Sequence, residues 1–183
     1  MGSRFFATLL ATLIATLVAL AAIGWLIATY AVAPPPERYI NSWFEFDLAP
    51  GWACAPDGTE IICRQGEPPH KAIAVIALKM RNDQDNLNAY ESHLSQPQKL
   101  KQHDGAEITS EIRYVKRRRI GAHDWVESLH ANSEVAGFDT FYLATNTSAL
   151  GILVTMSVNS KNVAEFSSQL NDMMASLAVH QRQ

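Results

Sequence analysis

The sequence predicts an α+β domain, a mostly antiparallel sheet with packed helices, carried behind one apolar N-terminal helix. Three observations predict it. From Phe5 to Pro36 there is no charged residue. After that stretch, segments of strand character follow one another across short turn signals, interrupted once by a helical segment. The last stretch, Asn162 to Val179, has helical spacing, with Val163, Phe166, Leu170, Met173, Met174 and Leu177 on one stripe.

Residues 1–33 are read as a transmembrane anchor with a short cytoplasmic N-terminus. A bilayer core of about 30 Å needs about 20 apolar residues at about 1.5 Å per residue, and Phe5 to Ala33 supplies more. Trp25 and Tyr30 lie toward its far end, where aromatic rings favour headgroups. Ala31-Val32-Ala33 also fits a signal-peptidase site, which makes a cleaved, secreted protein the rival reading. The apolar run is longer than a signal's, and Pro34 is a poor residue to follow a cut. Arg4 before the run favours the N-terminus inside and the domain outside. In a bacterium this makes a single-pass inner-membrane protein with a periplasmic domain.

Within the anchor, Ala7, Ala11, Ala15 and Ala19 form a row of small residues, with Thr8, Thr12 and Thr16 beside it. Such rows let another helix approach closely, so this face is a candidate helix–helix contact. The plainer reading is an ordinary apolar helix.

Residues 34–40 are expected to form a stiff proline-rich spacer, and residues 41–183 the extracytoplasmic domain. That places Tyr39, Trp43 and Phe44 near headgroups, although Trp43 equally suits a core. "WFEFDLAPGW" alternates, with Phe44, Phe46 and Leu48 on one face, and ends in a Pro-Gly turn. "GWAC" and "EIICR" flank a turn at Pro56-Asp57-Gly58, so Cys54 and Cys63 can face each other as a disulfide, which persists in oxidising compartments. Two buried free thiols are the alternative. "KAIAVIALKM" is a fully apolar, central strand, and "DQDNLNAYESHL" a helix with Asp83 or Asp85 as its cap. "EITSEIRYVKRRRIG" and "HDWVESLHANSE" are strands joined near Gly121, and "DTFYLATN" and "GILVTMSV" form a hairpin.

Taken together, "FDLAPGW", the apolar strand, the mid-chain helix, the meander ending in "GILVTMSV" and the closing "MMASLAV" resemble the PsbP-like fold group, which includes DcrB-type bacterial envelope proteins. The resemblance spans roughly Asn41 to Val179. It implies a non-enzymatic protein that binds proteins, stabilises assemblies or acts as a chaperone, and it carries over no catalytic residue. The cysteine hairpin is not a general feature of that group.

The residues themselves argue the same way. The formal net charge is −3, which does not suit nucleic acid. No metal-ligand motif, serine-nucleophile signature or phosphate loop is present, so no cofactor or metal is expected. Asn146-Thr147-Ser148 matches a glycosylation sequon, a short motif common by chance. Lys116, Arg117, Arg118 and Arg119 are consecutive and form a candidate patch for an anionic partner. On a strand they alternate faces, and a solvated, edge-protecting strand end is the plainer reading. The expected function is that of a membrane-anchored, protein-binding accessory or assembly subunit of an envelope complex. Two alternatives stand beside it. One is a small-ligand or lipid-binding protein with its site between sheet and helix. The other is an enzyme using His123 or His130 with a nearby carboxylate.

Overall fold

The computed structural model describes residues 13–25, 36–101 and 107–180. The chain divides into two compact units between Pro35 and Pro36. In the first, residues 13–25 form a helix, α1, in which every residue is exposed and none is charged. Among the described residues no helix is long and apolar enough to cross a membrane. The rest of the expected anchor, with Ala7, Thr8, Ala11, Thr12 and Tyr30, lies outside them. Ala15, Thr16 and Ala19 are in α1, where the Thr16 hydroxyl donates to the Leu13 carbonyl at 2.9 Å.

The second unit is built on a seven-stranded antiparallel sheet. Its strands are β3 (Trp52–Asp57), β4 (Glu60–Gln65), β5 (Ala72–Met80), β8 (Glu111–Ile120), β9 (His123–Ala131), β10 (Asp139–Asn146) and β11 (Leu150–Val158), in the spatial order β3-β4-β5-β11-β10-β9-β8. Helix α3 (Val163–Ala175) covers one face together with a small sheet of β1 (Arg38–Ile40), β2 (Phe44–Asp47) and β12 (Ala178–Val179). The core there joins Trp125, Phe141, Leu143, Val154 and Met156 of the sheet to Phe166, Leu170, Met173 and Met174 of α3 and to Phe44 and Phe46 of β2. The opposite face is only partly covered. Helix α2 (Leu87–Leu94) packs there on Val126, Tyr142 and Ala144, and β6 (Lys99–Lys101) and β7 (Glu107–Thr109) form a separate two-stranded antiparallel sheet.

Several local expectations are corrected. Residues Arg38–Ile40, assigned to the spacer, are a strand, because Arg38 bridges Asp47 and Glu45 of β2 at 2.7 and 2.9 Å and Tyr39 packs on Phe44 and Phe46. Phe44 is fully buried in the core, away from any headgroup. The cysteine hairpin turns at Gly58-Thr59, with Pro56 still in β3, because the positive φ of Gly58 (61°) suits the first position of a two-residue turn.

Helix α2 is capped by Asn86, whose side chain accepts from the Ala89 amide at 3.0 Å; Asp85 is drawn aside to Lys79. Helix α3 ends at Ala175, short of Val179. There the Ser176 hydroxyl donates to the Met173 carbonyl and accepts the Asp47 amide, both at 2.8 Å, which frees Ala178–Val179 to pair with β2.

Candidate binding groove and the predicted site residues

Cys54 and Cys63 lie directly opposite each other across β3 and β4, their Cα atoms 4.0 Å apart, and form the expected disulfide. The bridge staples the edge strand β3 to the rest of the sheet.

The basic run occupies the other edge strand, β8. Its residues alternate faces, and each meets a carboxylate of this chain. Lys116 and Arg118 point to the α3 side and converge on Glu127, which is 2% exposed. Lys116 Nζ lies 2.9 Å from Glu127 Oε1 and Arg118 Nη1 lies 2.9 Å from Oε2, while the Tyr114 hydroxyl donates to Oε1 at 2.9 Å. Burial first, then this contact with the carboxylate, pushes the Tyr114 hydroxyl pKa well up, so Tyr114 stays a donor. On the opposite face Arg117 reaches Glu91 and Asn88 of α2, and Arg119 stands 3.7 Å from Asp124. The run therefore guards the edge and pins α2 to it. Glu127 was absent from the sequence reading, yet counting back across the turn at Gly121 pairs it with Lys116.

Of the two histidines singled out, His123 opens β9 and His130 lies seven residues further along it. His130 is fully buried, its Nε2–H donating to the Leu94 carbonyl at 2.9 Å, while Nδ1 has no partner. Burial first depresses its pKa, so the ring is neutral. Among the described residues no group of three or more His, Cys, Asp and Glu is placed to hold a metal ion. The amide nitrogen of Asn146, in the sequon, donates to the Asp85 carbonyl at 3.2 Å.

Two grooves remain. The first, about 520 Å³, runs between α2 and the outward side of β5 and β11. Small residues create it. Ala77, Ala144 and Gly151 line it, with Leu94 and Leu153 as larger apolar walls. One end is polar. Asp85, almost fully buried, pairs with Lys79 and accepts the Asn82 amide at 2.9 Å. The Lys79 contact first, then the Asn82 amide, holds the Asp85 carboxyl below its ordinary range. Lys79 Nζ sits 5.9 Å from the centre of the Tyr90 ring. The second groove, about 540 Å³, lies between the small sheet and the β4–β5 end and is lined by Ile40 and Met80, which are 62% and 65% exposed.

No family profile matches the sequence, and no curated protein matches it. Solved structures do match. A Bacteroides thetaiotaomicron protein superposes with a TM-score of 0.59 at 15% identity, over 81% of this chain and 50% of its own, so this chain spans half of that protein. Cyanobacterial PsbP from Synechocystis matches with a TM-score of 0.53 at 11% identity, over 81% of this chain and 95% of its own. LpqN of Mycobacterium tuberculosis, described as involved in cell envelope biogenesis, matches with a TM-score of 0.52 at 11% identity, over 82% of this chain and 88% of its own. The second unit has the PsbP-like fold that the sequence resembles.

Proposed function

We propose that this protein is a membrane-anchored, extracytoplasmic domain that works by binding another protein, as an accessory or assembly subunit of an envelope complex. The observation that carries the reading is α1, an apolar helix whose described side chains are exposed all round, Leu17, Val18 and Leu20 at 59, 64 and 66%. A helix apolar on every side suits lipid or a partner helix. The charge-free sequence from Phe5 to Pro36 has the length a bilayer demands. The Cys54–Cys63 disulfide supports an oxidising compartment, and Arg4 supports an outward-facing domain. LpqN's place in envelope biogenesis supports the setting.

Binding rather than bond chemistry is supported by exposed Ile40 and Met80 on the second groove, an apolar surface of the kind partners cover. Tethering raises the local concentration of this surface for other membrane proteins. The test is purification of the full chain in mild detergent. It should elute with a second protein in fixed ratio, and Ile40→Glu with Met80→Glu should abolish that ratio without lowering the unfolding midpoint. A chain that elutes alone contradicts the reading.

A further inference from the structure

We propose that the groove between α2 and the β5–β11 face is a ligand site for a single-chain amphipathic anion, an unbranched apolar tail ending in a carboxylate or phosphate. The site lies wholly in the second unit, so the inference is independent of the membrane anchor.

The walls suit an apolar tail. Ala77, Ala89, Ala144, Leu94 and Leu153 present methyl groups along a groove of about 520 Å³, within the range of small-molecule sites. The small side chains leave the space, and Gly151 seats the Tyr90 hydroxyl and the Lys79 stem at its polar end. A Cβ there would stand 2.6 Å from the Tyr90 hydroxyl, so any side chain would push the Tyr90 ring aside. Leu153 remains 37% exposed at the rim. An apolar chain laid here removes that surface from water.

The polar end suits a charged head. Lys79 lines the polar end beside Asp85, while Arg81, two residues further on, acts on the Tyr90 hydroxyl from outside the lining. That carboxylate, Asp85, is already occupied by Lys79 and by the Asn82 amide. Arg81 spends one donor on the Thr147 carbonyl at 3.1 Å, a neutral acceptor, and among the described residues meets no carboxylate within ion-pair distance. Lys79 is 56% exposed and carries further N–H donors that Asp85 does not take. Lys79 thus offers N–H donors at the mouth of an apolar channel. An anion whose tail enters the channel meets both demands, whereas a neutral alcohol meets one.

The experiment uses the full chain in lipid nanodiscs and a dodecanoate carrying a photoreactive diazirine, with the matching alcohol as control. Adducts are mapped by peptide mass spectrometry. The acid should label the α2 and β11 peptides at least tenfold above the alcohol. Ala89→Trp, which fills the groove from an exposed helix position, should cut that labelling at least tenfold with the unfolding midpoint unchanged. Lys79→Gln combined with Asp85→Asn, which removes the cation without stranding the buried carboxylate, should bring acid and alcohol labelling within twofold of each other with the unfolding midpoint unchanged. Competition with unlabelled dodecanoate and with a lysophosphatidate separates the two sources of the head, and competition by either supports the site. Competition by neither, labelling unchanged in Ala89→Trp, adducts spread over the domain, or equal labelling by acid and alcohol in the unaltered protein would each overturn it.

Discussion

Arg118 Nη1 lies 2.9 Å from Glu127 Oε2, and the two ends of this pair live in different solvents. The carboxylate is 2% exposed and the guanidinium side chain 40%. Lys116, on the same face, holds the other oxygen. The cations can return to water if the carboxylate is lost, but the carboxylate cannot follow if they are lost. Glu127→Gln should therefore cost about 1–2 kcal/mol. Lys116→Met combined with Arg118→Met should cost about 3 kcal/mol or more, because a buried charge is left unpaired. Urea unfolding of the three proteins checks the order, and equal losses would mean that Glu127 is hydrated.

The Tyr90 hydroxyl is buried beside the Asp85 carboxylate, to which it makes at most a poorly aligned hydrogen bond, and it occupies the space over Gly151. Gly151→Ala should displace α2 and cost about 1–3 kcal/mol by overpacking. Tyr90→Phe should cost about 1 kcal/mol or less alone, since only a poorly aligned contact with Asp85 is removed, and should recover most of the Gly151→Ala loss. A double-mutant cycle in urea reads this coupling directly.

Acid should weaken the domain in two windows. His130 has a depressed folded pKa, so below the ordinary histidine value of about 6.5 the unfolded chain binds the extra proton first. Stability is complete above that value and falls as the pH drops from it toward the lower folded value. His93 on α2 adds to the depression and Glu134 opposes it. Asp85, also depressed, has the same sign but acts only below the ordinary carboxylate range. Urea midpoints at about pH 7.5 and about pH 5.5 should differ in the unaltered protein and converge in His130→Gln.

Breaking the Cys54–Cys63 bridge should loosen the edge strand β3 more than the centre of the sheet. The loop it closes is short, so the loss should be about 2–3 kcal/mol. Thermal unfolding with and without reductant gives the magnitude. Hydrogen exchange should show faster exchange in Trp52–Asp57 and little change in Leu150–Val158.

These relationships show where sequence reasoning reaches and where it stops. Periodic segments were legible because burial itself is periodic. Phe166, Leu170, Met173 and Met174 are buried as their spacing predicts, and β5, β10 and β11 are strands of one sheet. The alternation of the basic run was equally legible. End points were not. Ser176 stops α3 through a hydrogen bond to β2, more than a hundred residues away, and Asp85 is claimed by Lys79 before it can cap α2. The first groove was the least legible feature. Ala77, Ala144 and Gly151 come from three strands that meet only in the folded sheet, and no local pattern marks them as a floor.

The central claim is that the domain stands outside a membrane on an apolar anchor. Added protease acting on intact spheroplasts tests it most directly. The account predicts that the domain is digested from outside while a small N-terminal fragment beginning at Met1 stays with the membrane. A domain that resists digestion until the cells are lysed, or a mature chain that starts after Ala33 and washes free, would contradict it.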